Sequence, residues 1–83
     1  MEELRQMIDK VDEQIIRLLV AREELVGKIG KLKKESGIEI LDKAREEEIK
    51  EKIKQKCKEL GVEYNFVLGI FEKILKKSKE IQK

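Results

Sequence analysis

Apolar residues in the first third of the chain recur as Leu4, Ile8, Val11, Ile15 and Leu18, then Leu25, Ile29 and Leu32. The steps alternate between four and three, the spacing of a seam along one face of an α-helix. One helix is predicted from about Glu2 to Glu35, ended by Ser36-Gly37, with Gly37 at the position where helix ends favour a left-handed residue. Gly27 and Gly30 fall inside the pattern. Each costs about 1 kcal/mol against Ala, and close packing is the expected reason for both. Residues 38–41 read as a short linker. Asp42 is placed to cap a second helix, about Lys43 to Leu60, whose inner face carries Ile49, Ile53, Cys57 and Leu60. Gly61 interrupts the chain. A third helix is predicted from about Glu63 to Ile81 with Tyr64, Leu68, Phe71 and Leu75 along its seam, and the same stepping continues to Ser78 and Gln82.

The length of the first helix has a geometric consequence. At 1.5 Å per residue it reaches roughly 50 Å, whereas a compact globule of 83 residues has a radius of gyration of about 12 Å. One end must overhang, with its apolar seam uncovered. A second copy related by two-fold symmetry is the simplest cover. The expected fold class is therefore all-α, with one long and two shorter helices per chain, forming an intertwined six-helix homodimer. Residues 1–83 read as a single domain.

Composition narrows the function classes. Charged residues make up 46 % of the chain and hydrophobic ones 40 %, with no Pro and three aromatics; such a mixture suits long helices. Lys and Glu dominate the polar surface, a weak resemblance to heat-adapted proteins. The net charge of +2 comes from interspersed signs, without the basic stripe of a nucleic-acid binder. With no His and a single Cys57, zinc sites, His-based catalysis and internal disulfides are excluded. No apolar run approaches the roughly 20 residues of a membrane span, and no signal peptide precedes the first charged helix. The expectation is a cytoplasmic protein without nucleic-acid or membrane partners.

The informative residues are polar ones in apolar stripes. Arg22 occupies a skipped seam position, and Lys33 lies eleven residues further in nearly the same direction around the helix, with Val26 and Ile29 between them. Arg45 and Glu46 extend the inner face of the second helix backwards; Ser78 and Gln82 extend that of the third. A buried unpaired guanidinium is very costly, so these groups are expected to line one pocket holding a small dianion. With sixteen Lys and four Arg, an Arg points to planar, bidentate carboxylate recognition. Arg5 is seventeen residues before Arg22, roughly 25 Å along the axis, so it can serve only the site of a partner subunit. Each residue has a plainer alternative. Arg22 could set register, while Arg5, Lys33 and Arg45 could be surface charges. Asp42 could be a helix cap only, Glu46 could serve a helix N-terminus, Ser78 could be a small packing residue, and Gln82 could belong to a frayed end. Cys57 reads as core.

The run Leu4-Arg5-x-x-Ile8-Asp9-x-x-Asp12-x-x-Ile15-x-x-Leu18-Leu19-x-x-Arg22, then Gly30-Lys31-x-Lys33, Asp42-x-x-Arg45-Glu46 and Ser78-x-x-x-Gln82, resembles the AroQ-type, all-helical chorismate mutases over essentially the whole chain. The linker Ile38-Glu39-Ile40-Leu41 lacks the proline common before the Asp in that family. The resemblance implies rearrangement of chorismate to prephenate, in aromatic amino-acid biosynthesis, by a homodimer without cofactor or metal. It implies that Arg22, Arg45 and Arg5 of the partner subunit bind carboxylates, and that Lys33 and Gln82 donate to the ether oxygen. It places Glu46 and Asp42 at the ring hydroxyl, and Ser78 near the ring carboxylate. Rival readings are an isochorismate-pyruvate lyase of the same fold and a non-catalytic dimerisation or regulatory module. A basic nucleic-acid-binding hairpin is more distant.

Overall fold

Three helices form where the apolar spacing places them: α1 over Glu2–Ser36, α2 over Lys43–Leu60 and α3 over Tyr64–Gln82. This computed structural model describes residues 1–37 and 43–82, and all regular secondary structure among them is helical. The linker and Asp42, expected to cap α2, lie outside the described residues. α1 runs one residue beyond the expected Glu35. Gly37 stops it at φ 70°, and its N–H reaches back to the carbonyls of Lys33 and Lys34. Gly61 does the same for α2 at φ 70°. There the N–H of Val62 donates to the Cys57 carbonyl at 3.0 Å, the wide bond of a glycine-terminated helix. That turn uses the residues before Tyr64, so α3 begins one residue later than the spacing alone implied.

α3 is the central element. It packs against both α1 and α2, which make no comparable approach to each other. Arg22 meets Ser78, Gly27 faces Ile81, and Gly30 faces Gln82. Numbers rise together along both helices, so α1 and α3 run in the same direction. α2 is antiparallel to α3: the chain reverses at Gly61, and Glu46 near the start of α2 pairs with Lys79 near the end of α3.

Among the described residues the buried apolar core is small: Val26, Ile53, Cys57 and Leu75. One expectation about the faces needs correcting. Leu60 is 69 % exposed, because it is the last residue of α2 and stands where the chain turns before α3 begins. The face of α1 that packs on α3 runs through Arg22, Val26 and Gly30. The neighbouring seam residues Leu25, Ile29 and Leu32 remain exposed. The apolar seam and the intrachain contact are therefore adjacent stripes of one helix.

The overhang is real. The molecule measures 53 × 24 × 16 Å with a radius of gyration of 15.6 Å, larger than the compact value of about 12 Å. Leu4, Ile8, Val11, Ile15 and Leu18 are each more than half exposed. The accessible surface is 7176 Å², whereas a compact folded monomer of this mass should show roughly 5200 Å². Among the described residues, no helix is long and apolar enough to cross a membrane.

Candidate active site

Near the C-terminal ends of α1 and α3, where α2 begins, the helices line a partly open cavity of about 320 Å³. α1 contributes Arg22, Val26, Ile29 and Lys33; α2 contributes Arg45, Glu46 and Ile49; α3 contributes Leu75, Ser78, Lys79 and Gln82. Six of the eight residues singled out in the sequence thus share one space. The spacing explains it: steps of four and seven on α1, and of three and four on α3, keep these side chains on the faces that meet. The volume suits a small organic molecule.

Ser78 anchors the centre. It is buried, its Oγ accepts a hydrogen bond from Arg22 Nη1 at 2.5 Å, and it donates to the Ile74 carbonyl at 2.9 Å. Both capacities of the hydroxyl are used, so the guanidinium is held against α3. Burial pushes the Arg22 pKa below the ordinary arginine value, and the positive charge of Arg45 pushes it the same way. Among the described residues, Arg22 is thus a partly buried cation with a like charge as its electrostatic neighbour.

Arg45 has a double setting. It lines the cavity, and its Nη1 also pairs with Glu48 on the outer side of α2 at 2.5 Å. Glu48 is shared with Lys52 at 3.2 Å. Lys52 first, and Arg45 second, hold the Glu48 carboxyl below the usual carboxylate range. The surface-pair reading of Arg45 and the pocket reading therefore both describe it.

Lys33 and Gln82 form the end wall. Lys33 Nζ donates to Gln82 Oε1 at 3.5 Å, the outer limit of such a bond. Gln82 is half-buried within the last turn of α3 rather than frayed. Gly30 explains this. A Cβ there would stand 2.9 Å from Gln82 Cα, so only glycine lets the two backbones approach at this point. Gly27 differs from expectation: its Cβ would meet only Ile81 Cγ2, at an ordinary 3.9 Å. Tight packing accounts for Gly30 and not for Gly27.

Glu46 sits in the first turn of α2, where a negative charge favours the helix dipole. Its Oε1 is 2.5 Å from Lys79 Nζ. Lys79 was not among the residues picked from the sequence, although it lies four after Leu75 and so borders the inner face of α3. Its place in a lysine-rich stretch with Lys73, Lys76 and Lys77 made it look like one more solvated charge. The described wall thus holds four cations, Arg22, Lys33, Arg45 and Lys79, against the carboxylate of Glu46. Such a surround favours a doubly negative guest. Arg5 is not part of the cavity; it is exposed on the overhanging end of α1. Asp42 lies outside the described residues.

Comparison with known proteins points one way. Residues 4–83 match the family model "Chorismate mutase type II". A curated "Chorismate mutase" of Methanocaldococcus jannaschii is 35 % identical over 81 residues, covering 98 % of this chain and 82 % of the relative. A "Bifunctional chorismate mutase/prephenate dehydratase" of Aquifex aeolicus is 43 % identical over 60 residues, covering 72 % of this chain but only 17 % of that protein. No solved structure matches significantly.

The two glycines give a paired prediction. Gly27→Ala should be neutral or stabilise α1 by up to about 1 kcal/mol. Gly30→Ala should lower the melting temperature and, by displacing Gln82, reduce turnover. Thermal denaturation and activity of the two variants side by side check both outcomes.

Proposed function

The chain belongs to the type II chorismate mutase family, and from that premise we propose that the cavity between its helices is where chorismate rearranges to prephenate. Its activity is that of a chorismate mutase. The observation supporting this assignment of the site is the convergence of Arg22, Lys33, Arg45, Glu46, Ser78 and Gln82 on one cavity, in which Arg22 is partly buried and feels the like charge of Arg45.

The reaction breaks one C–O bond and forms one C–C bond within a single molecule, so the protein need supply no atoms. Two tasks remain. The enolpyruvyl arm must be held folded over the ring, in a near-attack geometry. Arg22 and Arg45, with Arg5 of the partner subunit, grip the two carboxylates for this purpose. Negative charge also develops on the ether oxygen as the C–O bond opens ahead of C–C closure. Lys33 and the Gln82 amide donate there and stabilise the transition state more than the ground state. Since Gln82 Oε1 faces Lys33, its amide N–H groups are the ones left to point at the guest. Glu46 and Asp42 accept from the ring hydroxyl, and Ser78 keeps Arg22 aimed at the ring carboxylate. Residues 1–83 act as a single cytoplasmic domain, with no cofactor and neither nucleic acid nor membrane as partner.

The active form is a homodimer. The excess of roughly 2000 Å² over a compact monomer is of the size that obligate interfaces bury. An apolar groove of about 670 Å³ runs between α1 and α3, lined by residues such as Ile15, Leu18, Phe66 and Ile70, and Arg22 borders both it and the polar cavity. In this reading the exposed seam Leu4, Ile8 and Val11 of a second copy occupies the groove and brings Arg5, beside Leu4, to the partner's cavity.

A spectrophotometric assay of chorismate loss, with the product identified, tests the reaction: prephenate is expected, and pyruvate would indicate a lyase. Lys33→Ala should lose roughly 100-fold or more in kcat, since one preorganised donor contributes about 3–4 kcal/mol, while Lys54→Ala on the exposed face of α2 should stay near wild type. Equal rates would remove Lys33 from the mechanism. Mixing inactive Arg5→Ala chains with inactive Arg22→Ala chains should restore part of the activity, because one site of the heterodimer keeps both arginines. No recovery after confirmed subunit exchange would count against a shared site.

A further inference from the structure

We propose that Lys79 is a positioning residue for Glu46: its ammonium neutralises the carboxylate in the cavity wall so that a dianion can be accommodated beside it. The inference rests on the reading of this cavity as the substrate site. It starts from a conflict in that reading. A pocket shaped for two carboxylates carries a carboxylate of its own, and an uncompensated Glu46 would repel the guest at short range.

The structure resolves the conflict with a cross-helix pair. Arg17–Glu13, Arg45–Glu48, Lys52–Glu48 and Lys56–Glu59 each join residues three or four apart on one exposed helical surface. Glu46–Lys79 instead ties α2 to α3 at 2.5 Å, and the Glu46 side chain is only 22 % exposed. Surface pairs of the first sort are worth little. A partly buried pair differs, because removing one partner leaves the other charge uncompensated. Among the described residues, the charged groups lining the cavity with Glu46 are Arg22 and Lys33 from α1, Arg45 from its own helix and Lys79 from α3. Arg22 is taken by Ser78, Lys33 contacts Gln82, and Arg45 pairs with Glu48. Lys79 is the group seated on Glu46, and its ammonium is directed at that carboxylate. Its effect on the guest therefore passes through Glu46: charge is offset, and one carboxylate oxygen is fixed so that the other stays aimed into the cavity as an acceptor.

Steady-state kinetics of the full chain with chorismate, on wild type, Lys79→Met, Lys79→Arg, Glu46→Gln and the Glu46→Gln/Lys79→Met double variant, test this. Lys79→Met should raise KM about tenfold or more, with kcat within about twofold, because the loss is one of guest accommodation. Lys79→Arg should restore wild-type KM. In the Glu46→Gln background, adding Lys79→Met should change KM by less than about twofold, because no carboxylate remains to be neutralised. The proposal is overturned if Lys79→Met leaves KM unchanged. It is equally overturned if the penalty is as large in the Glu46→Gln background, which would mean that Lys79 meets the substrate directly or only supports the fold. Lys33→Ala and Arg22→Ala serve as controls. If both lose activity while Lys79→Met is silent, this inference fails and the site assignment stands. If both turn over at the wild-type rate, the site assignment itself fails, and this inference with it.

Discussion

Repulsion among like charges, confined at one end of a thin helical bundle, is the constraint from which the rest of this molecule follows. Arg22, Lys33, Arg45 and Lys79 surround a cavity whose described wall offers the single carboxylate of Glu46. A core built from Val26, Ile53, Cys57 and Leu75 has little surplus stability with which to tolerate that repulsion. The protein contains it by tethering: Ser78 holds Arg22, Glu48 draws on Arg45, Gln82 meets Lys33 and Glu46 meets Lys79. Each tether leaves the net positive character of the space intact. In the proposed site a small dianion would complete the electrostatics and find its binding groups already oriented, which suits a reaction that needs restraint and a polar environment rather than a protein nucleophile.

Much of this arrangement was legible in the sequence, for reasons of period. Apolar steps of four and three located all three helices to within about one residue at their ends, and Gly37 and Gly61 marked where α1 and α2 stop. The polar residues Arg22, Lys33, Arg45, Glu46, Ser78 and Gln82 stood out because each interrupts or extends an apolar stripe, and they do converge. What escaped depends on relations between helices. The stripe through Arg22, Val26 and Gly30 that meets α3 is offset from the richer apolar seam, and a one-dimensional pattern cannot say which of two neighbouring stripes faces the chain's own helix. Gly27 and Gly30 look equivalent in sequence, yet only the latter is crowded by an opposing backbone. Lys79 was hidden by composition: among sixteen lysines, one that turns inward carries no distinguishing mark.

α1 serves two surfaces. Its C-terminal half supplies the intrachain contact and two cavity cations, while its N-terminal half projects apolar residues beyond the rest of the chain. Arg22 stands where these territories meet, bordering both the apolar groove and the polar cavity. In the proposed dimer the same side chain is a boundary of the interface and a member of the site, so assembly and chemistry depend on one another.

Gly30 carries a consequence for behaviour on heating. Terminal helical turns ordinarily open first, at free energies far below that of global unfolding, and Gln82 lies in such a turn. Here the last turn of α3 is set against the backbone of α1 through the space left by a missing side chain. Opening that turn means separating two helices rather than releasing one loose end. In the proposed site, loss of catalytic competence with temperature is therefore tied to the cooperative melting of the bundle, and the Gln82 amide keeps its alignment for as long as the fold itself persists.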